Sequence, residues 1–380
     1  MIYLLVQYFE DWLESHSLGF LRVFNAPTFQ SAAALVLSFL IVIVFGGRVI
    51  EWLRRQKLGD LATFDQAEMD KLMSSKKGTP TMGGLLIIAA IVLTSLLLAD
   101  LENFYVRMAL ICVVWLGAVG ATDDWLKLTA GRRTGSRQGL TSREKLLFQV
   151  GLSLLLAYFT YRHGEEIPQA TRLYFPFLKD VYVPLSLAAY LVIAMLVMTG
   201  SSNAVNLTDG LDGLASGTMA IVSFVFLVLA LVVGIPQLAN YLLVPYIRAS
   251  GQMAVISGAM MGACLGFLWF NCHPAKVFMG DTGSLALGGL IGYVAIVIRH
   301  ELVLVLAGGI FVMEAVSVMM QVSYFKYTRK RFGEGRRIFL MTPIHHHFQK
   351  KGWTETQVVV RFWLIGAMLA AMSLATIKLR

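Results

Sequence analysis

The sequence predicts an all-α, polytopic integral membrane protein of about ten transmembrane helices, with both termini on the extracytoplasmic side. Three observations predict it. Of 380 residues, 57% are hydrophobic and 14% charged, too little polar surface to cover a soluble globule. Roughly ten apolar runs reach the ~17 residues that cross a hydrocarbon core about 30 Å thick as a helix. Basic residues concentrate in alternate connections between those runs, as they do when Lys and Arg resist translocation.

In chain order the runs lie near 27–46, 82–99, 104–122, 145–161, 184–202, 213–234, 252–270, 282–299, 302–322 and 356–376. Residues 1–19 carry Glu10, Asp11 and Glu14 but no basic leader and no small-residue cleavage site. They read as a short amphipathic helix lying on the membrane rather than a signal peptide. The longest polar connections, 47–81, 123–144 and 323–355, are too short to bury a core of their own, so the chain reads as one integral domain, 1–380. With ten spans, the odd connections hold 22 of the 32 Lys and Arg residues, which puts them in the cytoplasm. The net charge of +9 is then a property of one membrane face, suited to anionic headgroups or an anionic substrate. Nucleic acid is excluded as a partner by the absence of any soluble basic module. Cys112, Cys264 and Cys272 show no metal-ligand spacing and read as packing residues.

Every unusual polar island falls on that same face. SSKKGTPTMGG (74–84) pairs Lys76 and Lys77 with Thr79 as a cap and Pro80 as a first-turn residue. Such a helix start offers free N–H groups and positive charge to phosphate; read alone, it is equally a capped span with positive-inside lysines. GATDDWLK places Asp123 and Asp124 at the end of the third run. Neighbouring helical residues point about 100° apart, so one acid can face a site while the other supports it. In NLTDGLDGL, Asp209 and Asp212 are three apart, a spacing that shares one helical face, and Gly210 and Gly213 permit close backbone approach. NCHPAKVFMGDTGS brings Asn271, Lys276 and Phe278 close to Asp281, which also fits a simple helix N-cap. TPIHHHFQKKG supplies His345, His346 and His347, and Glu314 stands inside the ninth run, where an ionisable residue is a functional candidate by default.

Carboxylates facing lysines at a membrane edge suit Mg²⁺, a hard cation that bridges acids to substrate phosphates. That chemistry is phosphoryl transfer between a lipid acceptor and a cytoplasmic donor. The chain contains no Gly-Lys dipeptide, hence no Walker loop, and HELVL at His300 lacks a zinc protease's second histidine. An ion-coupled transporter is the alternative from another class, but carriers gather such acids near mid-membrane rather than at one edge.

KKGTPTMGG, ATDDWLK, NAVNLTDGLDGLASG, FMGDTGS and TPIHHHF, in that order and over nearly the whole chain, resemble the phospho-N-acetylmuramoyl-pentapeptide transferase family. The wider superfamily of polyprenyl-phosphate N-acetylhexosamine-1-phosphate transferases shares the paired aspartates; KKGTPTMGG with PIHHHF resembles the muramoyl branch. The resemblance implies a Mg²⁺-dependent bacterial inner-membrane enzyme that moves phospho-MurNAc-pentapeptide from UDP-MurNAc-pentapeptide to undecaprenyl phosphate. The products would be lipid I and UMP, in peptidoglycan synthesis, and the enzyme would be a homodimer among membrane lipids. It implies Asp281 as metal ligand, Asp123 as activator of the lipid phosphate with Asp124 assisting, and His345 on the diphosphate. Lys76, Asn206, Asp209, Gly210, Asp212, Asn271, Phe278, Gln321 and His346 are implied for the nucleotide-sugar pocket, Phe278 by stacking on uracil. A relative acting on UDP-GlcNAc or another UDP-sugar is the nearest alternative. Gln349 stands where an acid commonly follows the family's phenylalanine.

Overall fold

A computed structural model describes residues 1–16, 18–56, 78–134, 139–165, 167–178 and 181–377. The chain begins with two short helices, α1 (Ile2–Tyr8) and α2 (Glu10–Ser15), and a 3₁₀ turn leads into α3 (Pro27–Arg55). There follow α4 (Gly84–Leu98), α5 (Phe104–Thr134) and α6 (Ser142–Gly164). A small antiparallel hairpin, β1 (Arg172–Tyr174) with β2 (Tyr182–Pro184), sets Leu173 opposite Val183. The rest is helical: α7 (Leu187–Thr208), α8 (Leu214–Gly234), α9 (Pro236–Tyr241), α10 (Met253–Asn271), α11 (Gly280–Val297), α12 (Glu301–Ala307), α13 (Gly309–Phe332), α14 (Ile344–Lys350) and α15 (Glu355–Ala375).

Nine of the ten apolar runs each become a helix, the ninth in order becomes two, and the protein is an all-α polytopic membrane protein. Seven helices among the described residues are long and apolar enough to cross a membrane, and α12 with α13 makes an eighth if counted together. α4, at 15 residues, is shorter than the usual span. The ninth run departs from expectation: it breaks at Gly308 and Gly309, where α12 and α13 bend by 84°. Glycines at a helix junction are a recognised cause of such a kink. α13 then runs ten residues beyond the predicted end at 322.

Close packing comes from small residues at four-residue spacing, the usual device where lipid supplies no hydrophobic drive between helices. On α10, Gly258 and Gly262 face α3 so closely that a Cβ would sit 2.4 Å from the Ser31 carbonyl and 2.0 Å from the Leu35 carbonyl. Ser38 on α3 donates to the Ala259 carbonyl at 2.8 Å. Gly288 and Gly292 likewise bring α11 against α7, where Ser201 donates to the Gly288 carbonyl at 2.6 Å. α11 is thus the central helix, packed against both α5 and α7, and its start is fixed by its neighbours. Cys112 and Cys264 are buried as expected; Cys272 is exposed, because it follows the last residue of α10.

Candidate active site

The site grows from the N-terminus of α11. Gly280 has φ +74, a left-handed conformation that glycine adopts without strain, and a Cβ there would lie 2.6 Å from Asp124 Oδ2. Asp124, reaching across from α5, accepts hydrogen bonds from the Asp281 N–H at 3.2 Å, the Thr282 N–H at 3.0 Å and the Thr282 hydroxyl at 2.6 Å. A carboxylate on unpaired helix N–H groups satisfies orphan donors and meets the positive end of the dipole. Asp281 is therefore not the N-cap of its own helix. The cap comes from α5, and Asp281 in the first turn is left free to point into the site.

Asp123, one residue earlier, faces the other way as its helical position predicts. Its Oδ1 accepts from the Leu140 N–H at 2.7 Å, and its Oδ2 lies 2.7 Å from both Lys127 Nζ and Lys145 Nζ. The same two ammonium groups reach Asp281 Oδ2, Lys145 at 2.6 Å and Lys127 at 3.2 Å. Asn206, at the end of α7, donates to Asp281 Oδ1 at 2.8 Å. Asp123, Asp124 and Asp281 each offer an oxygen within 4.8 Å of the others. Three carboxylates against two ammonium groups leave one net negative charge, and an all-oxygen donor set fits a hard divalent cation. With Asp124 occupied on α11, Asp281 and Asp123 are the groups able to hold it.

Lys127 and Lys145 were not singled out in the sequence. Lys127 carried a legible signal, one helical turn after Asp123 and on its face. Lys145 carried none, since only the fold returns the start of α6 to Asp123 across the 123–144 connection.

The second half of the site is joined to the first through residues 206–210. α7 ends at Thr208, and Asp209 and Asp212 lie in the turn before α8 rather than on one helical face as expected. Gly213, at φ +82, makes that turn. Asp212 Oδ2 lies 3.1 Å from His273 Nδ1 and accepts the Ala275 N–H at 3.0 Å, while its own N–H donates to Glu355 at 2.7 Å. The Asn271 side chain is buried and accepts from the Gly213 N–H and the Ser216 hydroxyl, both at 3.1 Å, and donates to the Val277 carbonyl at 2.9 Å. It ties the turn to the 271–277 loop. Gly210 faces His345, whose Nε2 would stand 2.5 Å from a Cβ there. His346 pairs with Gln349 at 2.8 Å. Gln321, farther along α13, accepts the Ile338 and Phe339 N–H groups at 3.0 Å and so anchors the loop that leads to the histidines.

Phe278 is half-buried, and its backbone pairs with the 80–83 segment. That pairing alters one expectation. The helix after the lysines begins at Gly84, not at Thr79 and Pro80, because the Gly83 and Gly84 N–H groups donate to the Phe278 and Met279 carbonyls at 2.9 Å. Those donors serve the fold instead of an anion. Lys76 and Lys77 lie outside the described residues.

A largely helical membrane protein that collects three acids and two lysines around one helix start has the charge layout of a membrane-embedded phosphoryl-transfer enzyme. The Glycosyl transferase family 4 profile matches residues 106–299, and phospho-N-acetylmuramoyl-pentapeptide-transferase signature 1 matches residues 76–88. A phospho-N-acetylmuramoyl-pentapeptide-transferase from Desulfotalea psychrophila is 46% identical over 359 residues, covering 94% of this chain and 96% of that protein. The chain belongs to the phospho-N-acetylmuramoyl-pentapeptide-transferase family.

Proposed function

We propose that the protein transfers phospho-MurNAc-pentapeptide from UDP-MurNAc-pentapeptide to undecaprenyl phosphate, forming lipid I and releasing UMP. The observation that carries this reading is the convergence of Asp123, Asp124 and Asp281 with Lys127 and Lys145 at the start of α11. In it the protein is a single domain of the bacterial inner membrane, a homodimer with external termini, whose site faces the cytoplasm and takes part in peptidoglycan synthesis.

An acceptor phosphate oxygen attacks the phosphorus that bears the sugar. A new P–O bond forms, the diphosphate P–O bond breaks, and UMP leaves with that electron pair. Asp123, held beside both lysines, receives the proton of a singly protonated acceptor, and Asp124 keeps Asp281 in place. Lys127 and Lys145 balance the diphosphate charge. Mg²⁺ held by Asp281 would supply charge neutralisation at the phosphate oxygens. Direct attack is favoured over a covalent aspartyl intermediate because the acceptor is already an anionic nucleophile.

An apolar groove supports a lipid acceptor. It lies between α7 and the broken α12–α13 pair, has a volume of about 340 Å³, and is lined by Leu196, Gly200, Ala204, Leu304, Val312 and Val316. Ala204 precedes Asn206, the partner of Asp281, by two residues, so the groove runs along α7 toward the end of the helix that meets the acids, although the two side chains point about 200° apart.

The deciding experiment gives purified protein polyprenyl phosphate and Mg²⁺ with UDP-MurNAc-pentapeptide and UDP-GlcNAc in competition. UMP release with the first sugar appearing on lipid is expected. Preference for UDP-GlcNAc would reassign the donor, and flux across vesicles without UMP would make the protein a transporter. Phe278→Ala is expected to raise the KM for the UDP-sugar while kcat stays nearly constant, since stacking contributes about 1–3 kcal/mol per base. An unchanged KM would move the uracil elsewhere.

A further inference from the structure

Glu314 is left unexplained by the carboxylate cluster. It lies on α13 with its side chain fully buried, and its Oε2 stands 3.1 Å from Nδ1 of an equally buried His345. Neither side chain has a hydrogen-bond partner among the described residues, so this close approach of opposite groups is the compensation the structure offers each. An ionisable side chain enclosed this way is retained only where a partner compensates it. A carboxylate can only accept, so the contact requires the proton on Nδ1. The other ring nitrogen is thereby the free one, and it faces Gly210 at the turn between α7 and α8. With no side chain at Gly210, the buried nitrogen packs directly against the backbone of that turn.

We infer that Glu314 is a positioning residue: it fixes the tautomer and ring orientation of His345, so that Nε2 is directed at the Asp209–Gly210 turn, the backbone that the diphosphate would approach. The inference rests on the proposed transfer reaction. A carboxylate that orients a histidine from behind is a general device for setting which nitrogen does the work. The same stretch of α13 lines the acceptor groove with Val312, Ala315 and Val316, so this helix touches both the lipid path and the histidine.

The test is Glu314→Leu, which removes the acceptor while keeping an apolar residue of similar size in a buried place, with Glu314→Asp as the conservative partner. Full-length protein in lipid is assayed for UMP release, thermal unfolding, and the ¹⁵N resonances of labelled histidine, His345 being assigned by its own substitution. Glu314→Leu is expected to lower kcat by roughly 10- to 100-fold with little change in UDP-sugar KM or unfolding temperature, and Glu314→Asp to recover part of the loss. Wild-type His345 is expected to show a protonated Nδ1, and Glu314→Leu to lose that preference. Wild-type kcat in Glu314→Leu, a loss matched by loss of folded protein, or an unprotonated Nδ1 in the wild type would each overturn the inference. Absence of UMP release from the wild type would instead overturn the functional reading, and the resonances would then decide the pair alone.

Discussion

Replacing Asp281 by asparagine is expected to reduce transfer by about 10³-fold or more while leaving the protein folded. The scale follows from removal of a charge-stabilising group in a partly enclosed site, for which single losses cost about 10²–10³, compounded here by a second effect. Asp281 Oδ2 meets Lys145 at 2.6 Å and Lys127 at 3.2 Å. An amide in its place loses the negative charge that draws a cation, and presents either a neutral oxygen or two N–H donors to two ammonium groups. Folding tolerates the change because the α11 start is capped by Asp124, which the substitution leaves alone. The checks are UMP release, thermal unfolding, and Mn²⁺ binding by electron paramagnetic resonance. Near-normal turnover, or unaltered Mn²⁺ affinity, would remove Asp281 from the metal site.

The origin of that cap shows what sequence could and could not reveal. Apolar run length is a local property, so the helical character of the apolar runs was readable, and Asp123 and Asp281, singled out by their place at the ends of such runs, do come together. Adjacent aspartates on a helix must diverge, and the division of labour between Asp123 and Asp124 follows from that geometry alone. The identity of what each touches does not. Asp124 meets the start of a helix 157 residues later, and Lys145 reaches Asp123 across 22 residues. Such contacts depend on how the bundle closes. The start of α4 misled for the same reason: Thr79 and Pro80 carry sound local signals for a helix N-terminus, but pairing of 80–84 with the 278–279 backbone overrides them. Gly308 and Gly309 were legible as residues, yet the bend they allow is set by packing of α12 and α13 on different partners.

Gly120→Ala tests the geometry without removing any reactive group. A Cβ at Gly120 would lie 2.2 Å from the Asp281 carbonyl oxygen and 2.6 Å from Thr282 Cα. Both are backbone atoms that cannot rotate aside, so α5 and α11 must separate by about 1 Å to restore ordinary contact. That displacement stretches the bonds from Asp124 to the start of α11 and carries Asp281 away from Asp123. Misplacement of about 1 Å can cost about 10²-fold in rate, and a loss of that size in kcat is expected. Overpacking costs about 1–3 kcal/mol, offset by up to ~1 kcal/mol because alanine favours a helix over glycine, so folded protein should still be recovered. Gly117→Ala is the control on the same helix: there the added carbon meets Ile88 Cδ1 at 2.5 Å, the far end of a flexible side chain that can move. Near-wild-type turnover by Gly117→Ala beside a large loss in Gly120→Ala would trace activity to the spacing of α5 and α11. Equal effects from the two would mean that the crossing at Gly120 does not set the position of Asp281.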